Sequence, residues 1–280
     1  MRLPAAGKYE GGRWGITGIV FLSLLTVALF GPWISGCGGV DPGKALRECA
    51  RACEAYASED NYLRFREEVL LELESEGEMI SQLIVVEGEQ VFPDRQRYLR
   101  EESWKGPKEG NSLSSTGYQY ITVDGGRSAY VRGKKVESAL GTAAWVYYTP
   151  PPGDRRYFDF IGTVKLLATG PAGLSVREEG EVLTLHFTVD LEEILKTRFA
   201  EAGEEWREEL SRQLEEGLGR ELPVEMRLSR GSYLPLELRA EKELVREGVR
   251  AYTQLTWRFS GYGEEPSSRI EPPAFYVKAG

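Results

Sequence analysis

The chain has 280 residues, 41% hydrophobic and 28% charged, and its 44 acidic and 35 basic residues leave a net charge of −9. That length and apolar content suffice for one large β-rich domain or two small ones. The negative sign argues against nucleic acid or an anionic membrane surface as main partner, since both demand a basic face.

The most telling stretch comes first. Lys8 and Arg13 precede an uncharged, mostly apolar run, Ile16 to Phe30, and Ile34-Ser35-Gly36-Cys37 follows. The run suits the apolar segment of a signal peptide and is shorter than the ~20 residues that span a bilayer. Ile-Ser-Gly-Cys resembles the lipobox of a bacterial lipoprotein, in which the cysteine thiol takes a diacylglyceryl group and the chain is cut before it. On this reading residues 1–36 are a signal peptide, Cys37 is the lipidated first residue and 37–43 is a tether. An uncleaved anchor helix, the uncharged stretch extending from Trp14 to Val40, and a chance buried segment are the alternatives. Either anchor holds the domain on the extracytoplasmic face of the cell membrane, with Lys8 and Arg13 inside. Loss of the leader, with Arg2, Lys8 and Arg13 against Glu10, makes the remainder more acidic still.

Beyond the tether a helix is expected over about Lys44 to Ser58, with Leu46, Cys49, Cys53 and Tyr56 on one stripe and both thiols facing the core. The period then changes to two. Leu63, Phe65, Val69, Leu71 and Leu73 alternate with charged residues, Glu67 interrupting the dry face and Leu70 the wet one. Gly77 turns the chain into a second strand, Met79 to Phe92, Pro93-Asp94 ends it, and a third runs from Arg95 to Lys105, completing a meander. Residues 106–117 read as a loop, and Asp124-Gly125-Gly126-Arg127 as a hairpin turn between Tyr118–Val123 and Ser128–Arg132. An aromatic strand, Ala143 to Thr149, runs into Pro150-Pro151-Pro152-Gly153, which neither helix nor ladder accommodates.

Past that seam, Tyr157 to Ala168 is spaced as a short helix. Glu181 to Val189 is a strand with Leu183, Leu185, Phe187 and Val189 on one face and Thr184, His186 and Thr188 on the other. Asp190, with Glu193 three residues on, starts a long amphipathic helix reaching about Leu218. Three more alternating strands close the chain, along Leu222 to Ser229, Leu234 to Glu241 and Val249 to Phe259. Their single apolar faces demand a curved sheet that covers something.

This order of elements resembles the LolA-like and LppX/LprG-like lipoprotein carriers, across Lys44 to Pro273. Points of likeness are Arg230-Gly-Ser-Tyr-Leu-Pro-Leu-Glu-Leu-Arg239 and the passage from Ser260-Gly-Tyr262 to Ile270-Glu-Pro-Pro273. The resemblance implies an α+β fold: a curved, antiparallel, unclosed β-barrel, or half-barrel, wrapped around a few helices in one domain, 44–273, with 274–280 a tail. It also implies a hollow that holds acyl chains. The anchor and the long helix depart from the soluble carriers, and that helix's apolar stripe could plug the hollow.

No enzyme constellation stands out, and a non-enzyme without cofactor or metal is expected. His186 lies on a polar face without a Gly-x-Ser-x-Gly motif, Cys49 and Cys53 lack further metal ligands, and Glu192/Glu193, Glu204/Glu205 and Glu208/Glu209 read as a wet helix face. Trp145, Tyr147, Trp206, Trp257 and Phe259 suit either a cavity or a core. The expected lining of the concave face is Leu183, Leu185, Phe187, Met226, Leu228, Leu236, Leu238, Trp257 and Phe259. The leading function is binding or transfer of a hydrophobic ligand, a lipid or acyl chain, by an anchored lipoprotein. The alternative is a cell-surface sensor or interaction module with its hollow filled.

Overall fold

A computed structural model describes residues 39–106, 114–133, 144–149, 160–168, 170–190, 221–246, 248–266 and 268–278. The leader with Cys37, the proline seam at 150–153 and the long helix expected from Leu191 to Leu218 lie outside the described residues.

Helix α1, Pro42–Ala57, starts where Asp41 accepts hydrogen bonds from Gly43 N and Lys44 N, with Pro42 at a position whose missing N–H costs nothing. The first meander is β1, Tyr62–Ser75, β2, Glu78–Val91, β3, Arg95–Lys105, β4, Ser114–Val123, β5, Ser128–Gly133, and β6, Trp145–Tyr148. Glu76 and Gly77, at φ 55° and 77°, make the β1–β2 turn, whose left-handed backbone matches the twist of the flanking strands. Helix α2, Phe160–Leu167, leads into the second meander: β7, Ala172–Glu179, β8, Val182–Asp190, β9, Glu221–Ser229, β10, Pro235–Arg246, and β11, Val249–Ser260; β12, Tyr276–Lys278, ends the chain. Strand β7 forms where no element was expected, β10 continues past Glu241 to Arg246, and two further assignments differ from the sequence reading. Ser114 to Gly117 belong to β4 instead of a loop, and Tyr276–Lys278, assigned to a tail, pair with β6.

All described strands form one sheet in the order β12-β6-β5-β4-β3-β2-β1-β11-β10-β9-β8-β7. Neighbours are antiparallel except β12 and β6. The two meanders join along β1 and β11, paired from Arg64–Ser260 to Ser75–Val249. The sheet ends in β12 and β7, so it is unclosed, as expected of a half-barrel.

Helix α1 lies across the inner face. At its N-terminal end Val40 N donates to Glu178 Oε1 on β7, in its middle Cys49 Sγ lies 4.0 Å from Met226 Sδ on β9, and near its C-terminal end Tyr56 OH donates to Tyr62 O on β1. A 16-residue helix is ~24 Å long, which matches five inter-strand steps of ~4.8 Å from β7 to β1. Beneath it Leu63, Phe65, Val69, Ile84, Leu185, Val224, Met226, Leu255 and Trp257 join Leu46, Cys49 and Cys53 in one hydrophobic cluster. Gly88 lets the sheet pack here, because a Cβ added to it would stand 2.5 Å from Tyr98 Cβ and 2.8 Å from Phe65 Cζ.

The outer face is wet. Arg66 pairs with Glu68 and Glu87, Arg258 with Glu68, Arg227 with Glu237, and Arg250 with Glu74 and Glu243. After β11 the chain returns across this face, with Arg64 pairing with Glu264, Arg97 Nη1 donating to Ser268 Oγ, and Arg95 Nη1 donating to Ile270 O. Tyr130, Tyr147 and Tyr276 form a ring cluster where that segment joins β6.

Cys49 and Cys53 are buried and unbridged, as the helical stripe predicts. The Cys49 thiol is pushed well above its ordinary range by its hydrogen bond with Cys53 and by burial, and the Tyr262 phenol by burial and then by both thiols. Raised acids favour folding while protonated, so their contribution is whole below the unfolded values and is lost as pH climbs toward the folded ones. Alkaline titration should therefore show Cys49 and Cys53 refractory to a thiol reagent, and the last tyrosinate absorbance appearing together with loss of the fold. Thiol modification in the folded protein at neutral pH would contradict this burial.

Candidate ligand-binding face

The register defines rows that run across the inner face. One row contains Val86, Glu67, Trp257, Leu238, Met226 and Leu185, in successive strands from β2 to β8. Another contains Ile84, Val69, Leu255 and Ala240. Apart from Glu67, which is half-buried, both lie in the packed cluster. Leu183, Leu185, Phe187, Met226, Leu228, Leu238, Trp257 and Phe259 are all brought together there, none more than 6% exposed. They are core beneath α1, not an open lining.

Leu236 does not join them. The pairing of β9 with β10 shifts between Pro235 and Glu237, so Pro235 turns inward with Leu238 and Ala240 while Leu236 stays half-buried. A bulge reverses parity along a strand, and strict alternation from Leu234 therefore misplaces this residue.

The inner face continues past the core. Trp104, Gln82, Leu71, Thr253 and Lys242 occupy the next row, and Ile80, Leu73, Ala251 and Leu244 the one after. Gln82 and Thr253 are buried, and Lys242 Nζ donates to Glu221 O at 2.7 Å. Burial lowers the Lys242 pKa, partly offset by Glu221. Leu73, Ile80 and Trp104 are 37%, 42% and 45% exposed. Among the described residues this is a mouth: Leu73, Ile80 and Trp104 are exposed, Ala251 and Leu244 beside them are half-buried, and a belt of Gln82, Thr253 and Lys242 stands behind.

A second polar element stands beside the mouth on β3. Arg100 and Glu102 point inward, and Arg100 Nη2 lies 2.7 Å from Glu102 Oε1, both side chains largely shielded. The pair gives the face one fixed dipole next to Ile84 and Trp104, able to orient a polar group while apolar surface takes up a chain. Sequence alternation marks Leu71 and Leu73 as dry but gives no reason to separate them from the core. The separating signal is length, since β1 runs 14 residues, ~48 Å, whereas a helix crossing it is ~10 Å wide.

The remaining candidates fall elsewhere. His186 is on the outer face, half-exposed, with Nδ1 3.7 Å from Glu225 Oε2. Tyr147 belongs to the outer tyrosine cluster and Trp145 pairs across to Tyr276. Trp206 and the paired glutamates lie outside the described residues. No helix among the described residues is long and apolar enough to cross a membrane.

No protein-family model and no curated protein matches the chain. Among solved structures it is similar to an outer membrane lipoprotein-sorting protein domain from Vibrio parahaemolyticus, at 11% identity and a TM-score of 0.28, covering 80% of this chain and 95% of that one. It is also similar to a DUF1329 family protein from Desulfovibrio piger, at 9% identity and a TM-score of 0.27, covering 82% and 96%. The site rests on register and burial.

Core and mouth should separate in stability. Met226→Ala or Leu185→Ala removes fully buried atoms and should cost ~2–5 kcal/mol, whereas Ile80→Ala should cost roughly 0.5 kcal/mol, as at a surface position. Denaturant unfolding of the three variants measures this, and an equal loss at Ile80 would show the mouth to be packed.

Proposed function

We propose that the chain is a membrane-anchored extracytoplasmic lipoprotein, lipidated at Cys37, that binds or transfers a hydrophobic ligand by its acyl chains on the concave face of a half-barrel. It works as a binding protein, without catalysis, cofactor, metal or nucleic acid. The observation that carries the reading is the row of Ile80, Leu73, Ala251 and Leu244, whose alternation stays apolar beyond the cover of α1. An exposed leucine costs nothing by itself, but an apolar row continuing one packed face across four strands is surface suited to being covered.

Apolar burial at ~25 cal/mol per Å² would drive binding, so chain length would be read weakly. The head group would be read by Arg100, Glu102 and the belt of Gln82, Thr253 and Lys242. Two acyl chains on Cys37 would give stable anchoring, where a single chain is marginal.

A second reading, an interaction module with a filled hollow, is favoured by one observation: eight of the nine residues expected to line the hollow are already packed under α1. A fluorescent fatty-acid probe and lipid extraction separate the two. The carrier reading expects co-purified lipid, saturable probe binding, and at least a tenfold loss of affinity in Leu73→Glu with little change in unfolding. It also expects an intact mass that carries a diacylglyceryl group on Cys37, with Cys37→Ser losing both that group and the cut before residue 37. No bound lipid together with no probe binding would favour the module.

A further inference from the structure

The start of α1 fixes where the tether leaves the folded body. Val40 N donates to Glu178 Oε1 at 2.8 Å, Arg230 Nη2 lies 3.1 Å from Glu178 Oε2, and Arg230 N donates to Glu181 O at 2.8 Å. The exit is thereby pinned to the end of the sheet formed by the β7–β8 hairpin and the β9–β10 turn. Only Gly38 and Gly39 separate Val40 from Cys37, and three extended residue steps reach ~10 Å.

The mouth lies at the other end. Glu178 is level with Leu183, Leu228 and Pro235 through successive pairings, and β10 and β11 place that level near Ser260, opposite Arg64. From Pro235 the chain climbs β10 to Leu244, in the row of Leu73 and Ile80, roughly 30 Å at ~3.4 Å per residue. A mouth turned down on the anchoring bilayer would lift the exit point roughly 30 Å above it, beyond what ~10 Å of tether allows.

We propose that the apolar mouth faces away from the membrane that holds the protein, so that an acyl chain enters from a second lipid surface across the aqueous space and not from the anchoring leaflet. This rests on the lipidation of Cys37 proposed above. The short glycine tether excludes the inverted pose, and the burial of Ala45, Leu46 and Cys49 keeps the start of α1 from unpeeling to lengthen it.

Energy transfer from the protein to acceptor-labelled lipid tests the proposal in the full-length lipidated protein held in vesicles. Donors are attached at Glu181→Cys, at the exit end, or Glu78→Cys, at the mouth; buried Cys49 and Cys53 stay unlabelled. Transfer from Glu181→Cys should exceed that from Glu78→Cys several-fold. A flexible Gly/Ser insertion of about ten residues between Gly39 and Val40 should raise the Glu78→Cys signal, because the tether then spans the body. Equal or greater transfer from Glu78→Cys in the lipidated, uninserted protein would overturn the orientation and leave the anchor standing. An intact mass lacking the lipid on Cys37 would overturn the anchor, and the orientation with it.

Discussion

A helix laid across long strands covers only part of them, and the rest of this structure follows from that mismatch. Strands β1 and β2 run 14 residues each and β10 and β11 run 12, while α1 is ~10 Å wide. Where α1 crosses, the inner face closes into a packed interior with Leu46, Cys49 and Cys53. Where the strands outrun it, the same alternation leaves Leu73, Ile80 and Trp104 half in water. Among the described residues one sequence pattern therefore yields two zones, one packed and one partly exposed.

The outer face holds the register that makes this division sharp. A slip by one residue would turn Leu73 and Ile80 outward and bring Arg66 or Glu68 into the core, and the cost of burying those charges specifies the pairing. The cross-strand pairs of Arg66, Arg250 and Arg258 each contribute little by themselves, being exposed to solvent. Their service is to keep a broad sheet face largely polar, although Met79, Leu83, Leu99 and Val245 are also exposed on it. Past Tyr262 and Gly263, which contact Tyr56 on α1, the returning chain crosses to the same side and is fixed there at Arg64, Arg97 and Arg95.

Much of the fold was legible because period two is a local property of the chain. Strands β1, β2, β3, β8, β9 and β11 fall within two residues of their expected limits, β10 runs five residues past its expected end at Glu241, and the stripe of α1 faces inward as read. Strand β7 was missed because only Leu174 and Val176 alternate between Gly173 and a charged tail, too little for a periodic signal. Strand β12 was missed because its partner, β6, lies far away in sequence. Leu236 was misplaced by a bulge that leaves no mark in residue types. Gln90, Gln96 and Thr122 are buried on the inner face of β2, β3 and β4 although their types predict a wet surface. The mouth itself was not separable, because Leu71 and Leu73 read like Leu63 and Phe65, and which part of a dry face stays uncovered depends on where the helix lands.

The concave face as a ligand surface is tested most directly by a photoreactive fatty acid, cross-linked to the purified full-length protein and mapped by mass spectrometry. The account predicts labels on the far ends of β1, β2, β3, β10 and β11, at Leu71, Leu73, Ile80, Trp104, Leu244 and Ala251, and competition by unlabelled fatty acid. Labels spread over the outer face, or none that competition removes, would contradict it.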